Sequence, residues 1–102
     1  MNSMKVWAKA FQDHRIQSDV VQEFALARPL DLYGWTQIID SLCRILDIER
    51  PVILSKHIQD LNKFGRTVFR HSDFMDYLSF DFLEIEVFPE NSKDKDSVYI
   101  IA

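Results

Sequence analysis

His14, His57 and His71, the lone Cys43, and Ser55, Ser72 and Ser79 are the first candidates here for ligating a metal or attacking a substrate. A metal site wants closely set ligands, for example two histidines one helical turn apart. His57 has Asp60 three residues on, and His71 has Asp73 two residues on; neither pair supplies a third ligand at metal spacing. A single cysteine excludes an intrachain disulfide and any zinc site built on several thiolates. Its neighbours Leu42, Ile45 and Leu46 read as a helix stripe, where Cys43 packs as a small apolar residue. None of the serines sits in a nucleophile elbow. Gly34 and Gly65 are the only glycines, too few for either glycine-rich phosphate loop. The carboxylates of Glu84 and Glu86 share one strand face at i, i+2 spacing. General acid–base work needs one of such a pair desolvated; these two are expected on a solvated face. No cofactor or metal is expected, and no stretch resembles a known family.

The elements that position these residues follow from periodicity. Residues 4–12 alternate, with Met4, Val6, Ala8 and Ala10 on one face and Lys5, Trp7, Lys9 and Phe11 on the other. That is a strand. Asp13-His14-Arg15 breaks it, and Ile16 to Phe24 reads as its hairpin partner with Ile16, Val20 and Phe24 as the apolar set. From Asp31, a plausible N-cap, the period changes. Leu32, Trp35, Ile38, Ile39, Leu42, Ile45 and Leu46 form one helical stripe, ended by Pro51. Pro51–Leu54 reads as a brief strand. Ser55 then caps a second helix carrying Ile58, Leu61 and Phe64, with His57 on the surface of its first turn and Gly65 as its C′ residue. Residues 66–70 are strand-like, and 72–78 a loop or single turn. Residues 80–88 form a strand with Leu83, Ile85 and Val87 inward. Residues 89–97 are linker-like, and 98–102 are an apolar segment expected at a sheet edge. The 102 residues thus make one α+β domain, a two-layer sandwich. An N-terminal hairpin and further strands form a mostly antiparallel sheet packed against two helices.

Composition narrows the function. With 47% hydrophobic and 27% charged residues the chain is globular. It has no apolar run of about 18 residues to span a bilayer and no secretory h-region, which makes the cytosol the expected compartment. The net charge of −4 argues against a nucleic-acid binder. Residues 50–71 nonetheless hold Arg50, Lys56, Lys63, Arg66 and Arg70 against Asp60 alone. Lys56, His57, Lys63, Arg66 and Arg70 are therefore candidates for holding an anionic or phosphate-bearing ligand, with Phe64 and Phe69 expected in the core beneath them. Glu84 and Glu86 are placed to neutralise part of that charge across the sheet. Trp7 and Phe11, flanked by Lys5 and Lys9, and the segment Val98, Tyr99, Ile100 and Ile101 are candidate interface residues. The leading expectation is a non-catalytic protein-interaction module, a homodimer. The alternatives are an anion-binding module through residues 56–71 and an enzyme with a site near His57 and His71.

Overall fold

A computed structural model describes residues 3–25, 27–29, 31–76 and 78–88. The linker-like stretch 89–97 and the candidate interface residues Val98, Tyr99, Ile100 and Ile101 lie outside the described residues. Two strands, β1 (Met4–Gln12) and β2 (Arg15–Phe24), lead into two helices, α1 (Leu32–Leu46) and α2 (Ser55–Phe64). Strand β3 (Arg66–Arg70), a 3-10 turn at His71–Asp73 and strand β4 (Phe82–Val87) complete the order. The four strands form one antiparallel sheet in the order β2-β1-β4-β3. Helix α1 packs on β2, and α2 on β3 and β4. This is the α+β sandwich the periodicity implies.

The core lies between the helices and one face of the sheet. Met4, Val6, Ala8, Ala10, Phe69, Leu83 and Ile85 from the strands meet Trp35, Ile39, Leu42, Cys43 and Leu61 from the helices. A fully buried side chain the size of Leu42 or Leu61 contributes about 1.5–3 kcal/mol. Phe64, expected in this core, is instead 68% exposed; it is the last residue of α2, one turn beyond buried Leu61, and sits on the rim of an open cleft beside β3.

The hairpin turn carries no glycine, yet Asp13 and His14 both have positive φ (53° and 66°), as a two-residue type I′ turn requires. Aspartate tolerates that region, and the Asp81 carboxylate accepts the Asp13 N–H at 2.9 Å. The second strand therefore starts at Arg15, inside the expected break. Beyond it, Phe11 pairs with Ile16 but Ala10 with Ser18, which leaves Gln17 as the extra residue of a β-bulge. A one-residue slip changes the face of everything on one side of it. Ile16 consequently lies opposite Phe11 on the face away from the helices, while Val20 and Phe24 pack against the core. The apolar set expected for β2 is thus divided between two faces.

Helix α1 starts as its sequence implies, with Asp31 Oδ1 accepting the Gly34 N–H at 3.0 Å. Gly34 is needed there, since a Cβ would lie 2.7 Å from Pro29 Cβ. The helix ends before Pro51 can act. Asp47 takes a left-handed conformation, and the N–H groups of Asp47 and Ile48 return to Arg44 and Cys43 carbonyls. Residues 51–54 form no strand; the Val52 N–H reaches the Asp73 carbonyl at 2.7 Å. At the other end of α2, Gly65 has φ 78° and serves as the left-handed terminator expected of it.

Candidate functional site

His57 is enclosed, 1% exposed, where the sequence suggests a surface residue. The N-cap position of α2 is Leu54, which has no side-chain acceptor, and Ser55 does not cap the helix. The imidazole performs that task instead: His57 Nδ1 accepts the Leu54 N–H at 2.9 Å, as a glutamate or glutamine does at the same position of a capping box. The ring packs on Phe69 at 4.2 Å between centroids. With Nδ1 an acceptor, the neutral ring carries its proton on Nε2, which faces Asp73 Oδ2 at 3.6 Å, beyond hydrogen-bond range. That same carboxylate oxygen accepts the Arg70 N–H at 3.0 Å. Burial pushes the His57 pKa below its ordinary value, and the Asp73 carboxylate opposes the shift without cancelling it. A general base must reach a substrate proton; this ring is spent on a backbone cap and closed off from solvent.

His71 faces elsewhere, its Nε2–H donating to the Phe80 carbonyl at 2.7 Å. No hydrogen bond joins it to His57 among the described residues. His14 stands exposed at the hairpin turn. Among the described residues no three of His, Cys, Asp and Glu come together as metal ligands would. Cys43 is buried, and burial, with Asp40 adding to it, pushes its thiol pKa up to about 12.

Of the basic candidates, Lys56, Arg66 and Arg70 line an open cleft of about 1100 Å³ beside β3 and α2. Lys63 is not part of its lining and lies 5.6 Å from the Phe64 ring centre. His57 borders the cleft but is enclosed behind it. The cations do not stand alone: Arg66 Nη1 is 3.5 Å from Glu84 Oε2. Asp60, also on the cleft wall, accepts the Thr67 hydroxyl at 3.0 Å.

The face of the sheet away from the helices gathers a second set of side chains. Trp7 and Phe11 lie on it, half-buried. The Trp7 Nε1–H donates to Asp19 at 2.8 Å, and its ring meets Phe88 at 6.0 Å. Phe11 stacks on Phe82 at 4.8 Å. Between them Lys9, its side chain only 8% exposed, reaches Glu86 at 2.8 Å and Glu84 at 3.5 Å and lies 3.9 Å from the Trp7 ring centre. Glu84 and Glu86 are therefore not a solvated pair; they clamp a lysine that the sequence suggests only as a snorkelling flank. The signal was in the alternation, which sets Lys9 between two aromatics on a strand able to pair with FLEIEV. Beside this cluster, Ile16 is 43% and Val21 48% exposed. No described element covers the face.

No helix is long and apolar enough to cross a membrane among the described residues. Comparison with protein-family models, with curated proteins and with solved structures finds no match to this chain.

Proposed function

We propose that this domain works without catalysis, as a protein-interaction module whose working surface is the outer face of its sheet. One observation carries the reading: Ile16 and Val21 stand over 40% exposed beside half-buried Trp7, Phe11, Val68 and Phe82, and no described element covers them. Large apolar side chains left uncovered together on one sheet face are what a contact site supplies. The reactive side chains support it by default of alternatives, since His57 is used as a helix cap and Cys43 as core.

The test is solution mass by light scattering coupled to gel filtration, with acrylamide quenching of tryptophan fluorescence. Trp35 is fully enclosed, so the quenchable signal reports Trp7. The expected result is a mass above the monomer, with Trp7 shielded as concentration rises, and a return to monomer in the Ile16→Lys/Val21→Lys variant at unchanged urea midpoint. A monomer at every concentration with Trp7 quenched equally throughout overturns the reading.

A further inference from the structure

The outer face carries a charge pattern that follows the strands. Lys5, Trp7, Lys9 and Phe11 of β1 share it with Ile16, Asp19, Val21 and Glu23 of β2, because Lys5 pairs with Glu23, Trp7 with Val21, Lys9 with Asp19 and Phe11 with Ile16. On the other side, Trp7 pairs with Glu86, Lys9 with Glu84 and Phe11 with Phe82. Arg66, Val68 and Arg70 of β3 pair in turn with Glu86, Glu84 and Phe82. Each strand thus contributes two charges of one sign to this face. Read across the sheet in the order β2-β1-β4-β3, they are two negative, two positive, two negative, two positive.

That sequence of signs is complementary to its own reverse. Two copies stacked face to face are related by a two-fold axis lying between them, since a dimer of one patch on itself is isologous. If the axis runs along the strands, the strand order of the second copy is reversed. Then β2 of one copy faces β3 of the other, β1 faces β4, and all four strand pairs bring opposite signs together. If the axis runs across the strands, every strand faces its own counterpart, and all four pairs bring like signs together. Packed sheets keep their strands within about 30° of each other at roughly 10 Å separation, so facing strands stay in register with the pattern.

We infer that the partner of the outer face is a second copy of this chain, stacked with the two-fold axis along the strands so that β2 of each copy lies over β3 of the other. The inference rests on the outer face being an interaction surface. In this arrangement Asp19 of one copy lies over Val68 of the other, between its Arg66 and Arg70. Ile16 lies over the aliphatic stem of Arg70 and Val21 over that of Arg66, and Phe11 lies over Phe82. Lys9 and Glu84, already partnered within one copy, face each other again across the interface. Ion pairs enclosed this way add little net affinity but select the orientation; the apolar side chains supply the attraction.

Charge reversal tests it. One variant carries Arg66→Glu and Arg70→Glu, the other Asp19→Lys and Glu23→Lys; all four side chains are exposed. Each variant alone is expected to self-associate at least about tenfold more weakly than the parent. An equimolar mixture is expected to recover a dimer containing one of each, because both β2–β3 contacts are again of opposite sign. Glu23→Lys alone, at a position without a side-chain bond to lose, is expected to weaken association in the same direction. Variants that each dimerise as tightly as the parent would place like strands over like and overturn the orientation. A parent that dimerises while the mixture stays monomeric overturns it as well. A parent that is itself monomeric, with Trp7 equally quenched throughout, defeats the outer-face reading and the stacked dimer with it.

Discussion

His57 ties stability to pH through a neutral imidazole. In the folded chain its Nδ1 caps α2 at Leu54, and its ring is enclosed against Phe69. Burial lowers its pKa from the ordinary 6.5, and Lys56 adds to the lowering, while Asp73 and Asp60 oppose it. The sign follows from linkage. Well above pH 6.5 both folded and unfolded chains hold the ring neutral, and the full stability is present. As pH falls through the unfolded value, the unfolded chain takes up a proton that the folded chain resists, and stability falls. One pH unit below the unfolded value the loss is at most about 1.4 kcal/mol, the limit for one proton whose folded pKa lies lower still. Carboxylates such as Asp73 titrate in the same direction at lower pH, so the reference must be a variant rather than the wild type alone. His57→Gln suits, because glutamine at that helix position offers an acceptor to the Leu54 N–H and does not titrate. At neutral pH it is less stable than the parent by about 1–2 kcal/mol, having lost the aromatic packing on Phe69. Urea denaturation from pH 7 down to about one unit below the ordinary histidine value should then show the gap closing by up to about 1.4 kcal/mol. A gap that stays constant over that range would falsify the account, since the ring would then be solvated or its cation fully matched by Asp73.

Three further outcomes follow from the packing. Lys9→Ala leaves Glu84 and Glu86 facing each other with only Arg66 nearby, and should lower the urea-derived stability by about 1–3 kcal/mol; a loss under about 0.5 kcal/mol, the level of an ordinary surface change, would show that the clamp is not formed. Gly34→Ala should lower Tm despite a helix-propensity gain of up to about 1 kcal/mol. The new Cβ would meet Pro29 at 2.7 Å, so a calorimetric rise in Tm would count against that close approach. Cys43, with its thiol pKa raised to about 12, should resist thiol reagents at neutral pH until the chain is unfolded in urea; rapid labelling of the folded protein would contradict its burial.

Periodicity made much of the fold legible. Period-2 alternation in residues 4–12 and 82–87 and the stripe from Leu32 to Leu46 are local signals that burial on one face enforces. What stayed hidden depends on pairing. The bulge at Gln17 has no mark in the sequence of β2, whose Ile16, Val20 and Phe24 sit at even spacing; only the register with β1 and the tight Asp13-His14 turn sends Ile16 to the outer face. The capping of α2 misled for a related reason. Serine is the commoner cap, but here the helix begins one residue earlier, and the acceptor comes from an imidazole that folding against Phe69 and Asp73 encloses.

The site was less legible because its charges acquire meaning only once strand order is known. Lys5 and Lys9 read as solubilising flanks, Glu84 and Glu86 as a wet face, Arg66 and Arg70 as an anion patch. With the hairpin fixed, β1 can pair on its free side with either β3 or β4. Pairing with β3 would set Lys5 and Lys9 beside Arg66 and Arg70, like charges opposite one another and destabilising. Pairing with β4, as observed, lets Glu84 and Glu86 lie between the lysine and arginine strands and bond to Lys9 and Arg66. The same choice that removes repulsion within the sheet produces the alternation of sign across it. A face built to satisfy its own charges thereby becomes one that matches a reversed copy of itself, so self-recognition in one orientation needs no residue beyond those that fix the strand order.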